Sequence, residues 1–585
     1  MLRILAPFGI SAVVAAIVST PLWAEDYKGT IGESKTPPVN YADNEAPHSR
    51  RVGAPYATLV PTLKPEVPLH VRPHSRDVMT DIEDRPFFDF NGWQTFVGLI
   101  WPAQQQGGQG YVRGLPDMNL TADDFKEIYS VDNFTPGARV AVLETLRTDD
   151  DLFTEPEDGQ ALSMPVAPVD WFADFYQLPQ DLSGFSATGT LDEAFSGPLI
   201  DQNRRYVRYE VGVNRVFYEF IRDNGYYWKG NLPKSPSPVP IPPLAVPDAW
   251  MTTHGDDPSA PLTLKLQPQT QTVVTQRVHG NSITTKTAWR IMVTDPAQPW
   301  EQKDDLSRYY TTRAKVLDPS NPDAPPQEVI VGLVGLHVVV RTTQFPQGLW
   351  STFSHVDNLP PIGQKNLPDN RRASFNSDGT VFHPDGYSYQ PGNEFPAMDD
   401  RQPVEVSRIW KIPNTPVALP QDNGVSYSTQ AMNGQFQELL EGTVWQYYQL
   451  DITNWPTDPG VFYARPFFQM RGMTNSTSSD MPPALQAIIN RNNAAQTNAF
   501  PRWAGLPIPQ VGALNPILET YFQNSDIPED TSCIGCHYGA SDVGFVWAWR
   551  NGVWPQLYKQ GRVNPQDTER ALIPYVRASD YDNSQ

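Results

Sequence analysis

Only two cysteines occur in the 585-residue chain, and they stand three positions apart with a histidine beside them, in Thr531-Ser532-Cys533-Ile534-Gly535-Cys536-His537. Two thiols about one helical turn apart can each add to a vinyl group of a single haem, while the adjacent imidazole reaches the iron as proximal ligand. That chemistry would consume Cys533 and Cys536 and make His537 the metal ligand. A single motif implies one covalently bound haem c. Three other readings compete. A dithiol redox pair belongs beside a βαβ pattern, which the surrounding proline-rich sequence lacks. A zinc site needs two further ligands at finger-like spacing, and none follows His537. The third is a chance match.

The iron's other axial position is open to several groups. No Met or His follows His537, so a distal Met or His comes from upstream. Met470, Met473 and Met481 are nearest in sequence, and His355, shortly after an apolar run, is the distal candidate carried forward. His337 lies inside that run, where a lone His more often serves as a hydrogen-bonded core residue. Tyr538, Tyr558 and Lys559 could also bind. Two strong protein ligands would leave an electron carrier, whereas an empty or labile position would admit peroxide, oxygen or a nitrogen oxide. The sequence assigns no catalytic residue. Glu529, Asp530 and Asp542 near the motif could relay protons, with surface solvation as the default reading.

The rest of the chain must carry and position this group. Met1-Leu2-Arg3, an apolar run from Ile4 to Val18 and Pro21-Leu22-Trp23-Ala24 read as a secretory signal peptide over 1–24. The expected location is therefore periplasmic or secreted. The longest later apolar run, Val329 to Val340, is cut by Gly332, Gly335 and His337, so no membrane span is expected in the mature chain. A formal net charge of -21 argues against nucleic acid as a partner and suits a basic redox protein, although a solvated acidic surface explains it as well. The 59 Pro would suggest disorder, but 16 Trp, 24 Tyr and 26 Phe supply the apolar mass of a folded chain. The prolines then belong to long ordered loops.

Residues 25–85 read as a Pro-rich amino-terminal arm. From Phe88, apolar residues recur at three- and four-residue steps through Phe90, Trp93, Phe96, Val97, Ile100 and Trp101, which predicts a short helix capped by Asp89 and ended by Pro102. The span 86–425 reads as a β-rich body, with strands expected at Tyr206–Val213, Thr263–Leu266, Thr272–Val278, Thr287–Val293, Tyr309–Val316 and Val329–Thr342. A helix is expected over Asn214–Arg222, stopped by Asn224-Gly225. The span 426–585 reads as a carboxy-terminal section that carries the haem site. It holds a strand at Val444–Ile452, a helix capped by Asp480 and another starting at Asn515-Pro516. The fold class is α+β: an antiparallel sheet or sandwich with long Pro-rich loops, and a mostly helical haem section.

Taken together, Trp93-Gln94-Thr95-Phe96 with Trp101-Pro102, the stretch Gly335-Leu336-His337 through Trp350-Ser351-Thr352-Phe353-Ser354-His355-Val356-Asp357-Asn358-Leu359-Pro360, and the late Cys-x-x-Cys-His resemble a group of large exported bacterial cytochrome c-like proteins with one carboxy-terminal haem motif. The resemblance implies a c-type haem and brings no catalytic residues with it. The functional expectation is an oxidoreductase or electron-transfer component whose large body binds a redox partner or a small-molecule substrate. The alternative is a haem-based gas-binding or sensing protein, or a structural haem without turnover.

Overall fold

The computed structural model describes residues 59–68, 71, 81–153, 165–183, 191–193, 197–228, 231, 262–266, 270–274, 281–321, 323–342, 345, 347–361, 364, 366–375, 397–404, 406, 408, 411–414, 416–418, 426–456, 514–520, 533–537 and 546. The signal peptide, the helix expected from Asp480 and the upstream methionines at 470, 473 and 481 lie outside them.

Helix α1 spans Asp81–Ile100, with Pro86 inside it. It begins two turns before the expected start, within the span read as the arm. Asp89 is therefore not its cap: it is buried in mid-helix and accepts a 2.5 Å hydrogen bond from the Thr429 hydroxyl. All described side chains from Asp84 to Ile100 are buried, because the helix is covered on several sides. Gly92 lets the sheet close in, since a Cβ there would stand 2.3 Å from Ser351 Oγ. Gly98 does the same for the arm, where a Cβ would meet Val67 at 2.8 Å. The described part of the arm is thus packed structure, with Leu59, Leu63 and Val67 in the core. Gln94 fixes it by donating to the Thr62 carbonyl at 3.0 Å and accepting from the Thr62 hydroxyl at 3.0 Å.

Two other helices matter here. Helix α2, Ala122–Ile128, starts from a Thr121–Asp124 capping box. Helix α3, Arg215–Asp223, is capped by Asn214 and stops before Gly225 at φ 68, close to the expected bounds.

The body is an eight-stranded sheet built from β1 (Arg147–Thr148), β2 (Gln180–Leu182), β3 (Arg208–Val213), β4 (Ser282–Ile291), β5 (Thr311–Val316), β6 (Gln327–Arg341), β7 (Leu349–His355) and β8 (Tyr448–Asn454). The main path runs β8-β7-β6-β4-β3-β1. β6, with 15 residues, forks the sheet: one edge pairs with β4, and the other is shared by β5 along Gln327–Gly332 and β7 along Gly335–Val340. The pairings are antiparallel except β2 with β5, so the expected antiparallel sheet or sandwich is corrected to one mixed, forked sheet. The class is α+β with a β-rich body.

The expected strands at Tyr206, Thr287, Tyr309 and Val329 correspond to β3, β4, β5 and β6, while Leu262–Leu266 and Thr270–Val274 pair as a separate hairpin. β7 escaped the sequence reading because all seven of its residues are buried, and a strand covered on both faces shows no alternation. Val444–Tyr447 is a 3-10 turn that leads into β8. β8 pairs with β7, so the sheet continues past residue 425 into the span read as the carboxy-terminal section.

Two bulges set which side chains face which way. Val334 is the extra residue opposite Ala288–Trp289, and Asp451 the extra residue opposite Thr352–Phe353. On one face, Leu336, Phe353 and Leu450 join Trp93 and Phe96 of α1 together with Phe436 from helix α4, Thr429–Leu439. Trp93 stacks on Phe436 with centroids 5.0 Å apart, and its indole N–H donates to Asn433 Oδ1 at 2.8 Å. On the other face, Tyr209, Ala288 and Val334 pack with Ile517 and Leu518 from late in the chain. Residues 516–518 form a turn, with the Leu518 and Glu519 N–H groups donating to the Asn515 carbonyl; the helix expected from Asn515 would run on beyond Thr520, outside the described residues. Among the described residues, no helix is long and apolar enough to cross a membrane.

Candidate functional site

Cys533–His537 forms the short helix α5. In a helix, positions three and four apart share a face, so its backbone brings Cys533, Cys536 and His537 to one side. Cys533 and Ile534 are buried, and His537 is half-buried. The His537 ring rests on the indole of Trp350, centroids 4.1 Å apart and planes inclined 45°. Trp350 is held in turn by its own N–H, which donates to the Gln347 carbonyl at 3.0 Å. Gly348 makes the tight entry to β7 at φ 98, a backbone region that favours glycine.

Trp350, Thr352 and Ser354 alternate along β7 and so share a sheet face. A polar row follows them. Asn515 donates to the Thr352 hydroxyl at 2.9 Å and to the Phe353 carbonyl at 2.8 Å. Tyr209 donates to the Ile517 carbonyl at 3.1 Å. His337, the register partner of Thr352, contacts Glu519 through Nε2, and the other Glu519 oxygen accepts the Asn515 N–H at 2.8 Å. Ser354 donates to Asp451 at 2.8 Å, and Arg408 pairs with the same carboxylate at 2.8 Å. Burial pushes the Asp451 carboxyl upward, Arg408 pulls it back, and Glu519 adds to the rise. The late chain is thus bonded to the sheet face that also carries Trp350.

His355 occupies the other side. Five positions from Trp350, it falls on the opposite face by alternation, about 17 Å along the strand at the usual rise. It is buried and stacked on Tyr309 with centroids 3.9 Å apart. Its Nδ1 accepts from the Asp357 N–H at 3.0 Å, and its Nε2 faces the Arg308 carbonyl at 2.8 Å. A carbonyl only accepts, so Nε2 carries the proton and the ring's single lone pair is already engaged. Burial lowers its pKa to about 4 against the nearby Asp357 charge. The expectation that His355 reaches the iron gains no geometric support, whereas His337 shares the face of Trp350.

The side chain of Cys536, the acids Glu529, Asp530 and Asp542, and Tyr538, Tyr558 and Lys559 lie outside the described residues. Among the described residues no group of three or more His, Cys, Asp or Glu side chains is poised to hold a metal ion. Two acids the sequence reading passed over are Glu144 and Glu210. Their signal was a carboxylate set in an apolar run, Val142-Leu143-Glu144-Thr145-Leu146, and in a strand, Tyr209-Glu210-Val211. No protein-family model, curated protein or solved structure matches the chain.

Proposed function

We propose that this is an exported c-type haem protein, acting in the periplasm as an oxidoreductase or electron-transfer component whose β-rich body binds a redox partner or a small substrate. The observation that carries the reading is the helical backbone of Cys533–His537, in which positions 533, 536 and 537 fall on one helix face, with the His537 imidazole against Trp350. Cys533 and Cys536 would hold the porphyrin by thioether bonds and His537 the iron, which supplies one-electron chemistry when bound. Trp350 limits how the imidazole can turn, and burial of Cys533 and Ile534 keeps that side of the helix dry.

The test is expression in cells that attach haem c, followed by a haem stain of the denatured polypeptide. Pigment should stay on the chain and be lost or much reduced in Cys533→Ala and Cys536→Ala. Zinc or a plain disulfide at the pair would end the reading. The visible spectrum, oxidised and reduced, with and without carbon monoxide, then separates roles. A spectrum that carbon monoxide leaves unchanged means two firm axial ligands and favours electron transfer, and a rapid shift means an accessible iron suited to catalysis or gas binding.

A further inference from the structure

Away from α5, a buried tyrosine stands between a base and an oxidisable ring. Tyr310, immediately before β5, and Trp445, in the 3-10 turn Val444–Tyr447, are closed off from solvent. Their rings stack with centroids 4.3 Å apart and planes inclined 20°. The Tyr310 hydroxyl donates to Glu144 Oε1 and accepts the Ala141 N–H at 2.9 Å, so the phenolic proton is held on the carboxyl side. Glu144 lies in the 3-10 turn Val142–Thr145 and is 3 % exposed. Burial raises its pKa to about 7, against the pull of hydrogen bonds from Tyr310, Thr312, the Ala141 N–H and Tyr176. It is therefore a stronger base than an exposed carboxylate, within direct reach of the proton it would take.

The neighbouring rings are placed differently. Tyr448, 5.2 Å from Trp445, donates its hydroxyl to the Leu333 carbonyl at 2.8 Å, and an amide carbonyl is too weak a base to remove a proton. The Tyr129 ring lies 5.6 Å from Trp445 and 5.9 Å from Tyr310, but its hydroxyl has no hydrogen-bond partner among the described residues, and neither has the Trp445 indole N–H. Oxidation makes a phenol strongly acidic, so a buried tyrosine gives up an electron readily only where a base takes the proton. An indole can lose an electron and keep its proton. Trp445 can thus pass an oxidising equivalent on, and Tyr310 can hold it. Two positions after Trp445, Tyr447 is half-buried, which brings the same turn to the surface.

We propose that Tyr310 is a redox-active tyrosine, with Glu144 as its proton acceptor and Trp445 as its relay to a high-potential one-electron acceptor at the surface, of the kind formed from peroxide. The acceptor is reduced by one electron from the Trp445 indole. The resulting indole radical cation takes one electron from Tyr310, and the phenolic proton moves to Glu144. Trp445 is restored, leaving a neutral tyrosyl radical and a protonated carboxyl. Return of one electron to Tyr310 draws the proton back. None of these steps uses the cysteine motif, so this relay and the haem reading fail separately.

Full-length protein at pH 8, where most of Glu144 is ionised, is illuminated with ruthenium(II) tris(bipyridine) and persulfate. It is held for a few seconds while surface radicals decay, then frozen and read by electron paramagnetic resonance. A neutral tyrosyl signal should remain in the native chain and fall tenfold or more in Tyr310→Phe, which keeps the ring and its stack. Glu144→Gln, which keeps an acceptor for the hydroxyl but not the base, should lower the yield several-fold. Trp445→Phe should slow formation several-fold, with Tyr310 and Glu144 in place. In the native chain, where no substitution can disturb folding, formation should slow in deuterium oxide. Absence of a lasting tyrosyl signal, an equal signal in Tyr310→Phe, or a yield unchanged in Glu144→Gln would overturn the proposal.

Discussion

The imidazole of His537 lies 4.1 Å, centroid to centroid, from the indole of Trp350, so the last described helix reaches the central sheet at β7. Replacing Trp350 with Leu removes the aromatic face against which the ring rests. We expect pigment still bound to the denatured chain, a several-fold faster reaction with carbon monoxide, and a loss of about 3 kcal/mol in unfolding free energy from the buried aromatic. An unchanged carbon monoxide rate in Trp350→Leu would separate Trp350 from the proposed haem site.

Gly92 and Ser351 set the distance between α1 and the sheet, since a Cβ on Gly92 would fall 2.3 Å from Ser351 Oγ. Gly92→Ala should therefore destabilise by about 1–3 kcal/mol through overpacking, although alanine is the better helix former. Adding Ser351→Gly should recover part of that loss. Denaturant midpoints of the two single variants and the double variant give the coupling, and strict additivity would show that the contact is not what matters.

His355 makes stability depend on acid. Its pKa falls from 6.5 to about 4 in the folded chain, so between those values the unfolded chain binds the extra proton. The stabilisation is fully present above about pH 6.5 and is lost as pH falls toward 4, an effect of about 3 kcal/mol. Thermal midpoints measured across this window should drop in the native protein and drop less in His355→Gln.

Glu144 and Glu210 act in the opposite sense. Burial raises Glu144 to about 7 and, with Asp149 and Glu144 as neighbouring charges, Glu210 to about 8. Here the folded chain holds protons that the unfolded chain has released, so this stabilisation is present below about pH 4.5 and is lost as pH rises through 7 to 8. The melting temperature should decline from pH 6 to pH 9, and Glu210→Gln should flatten the decline. A slope identical to that of the unsubstituted chain would place the titration elsewhere.

Trp93 tests the join between α1 and α4. Trp93→Phe keeps the stack on Phe436 but removes the donor to Asn433 Oδ1, which still accepts from the Leu450 N–H at 3.0 Å. A loss of about 1–2 kcal/mol is expected, against about 3–5 kcal/mol for Trp93→Ala. Both are read from denaturant unfolding.

Local patterns were enough for part of this protein. Cys533, Cys536 and His537 are adjacent in the chain, so their shared chemistry is legible without a fold. Strands β3 to β6 and helix α3 announce themselves through β-branched runs, alternation, and the pair Asn214 and Gly225 at the helix ends. Tertiary structure decided what depends on residues distant in sequence. β7 is buried on both faces and so lost the alternation that marks a strand. Asp89 looked like a cap because its partner, Thr429, is 340 positions away. Local sequence favoured His355 over His337 as a candidate ligand, but the sheet placed His337 on the face of Trp350 and closed His355 between Tyr309 and the Asp357 and Arg308 backbone. The enclosure of Glu144 by Tyr129, Tyr176, Tyr310 and Thr312 exists only once α2, β5 and the chain before β2 are packed together, because burial and neighbouring charge are properties of the assembled fold.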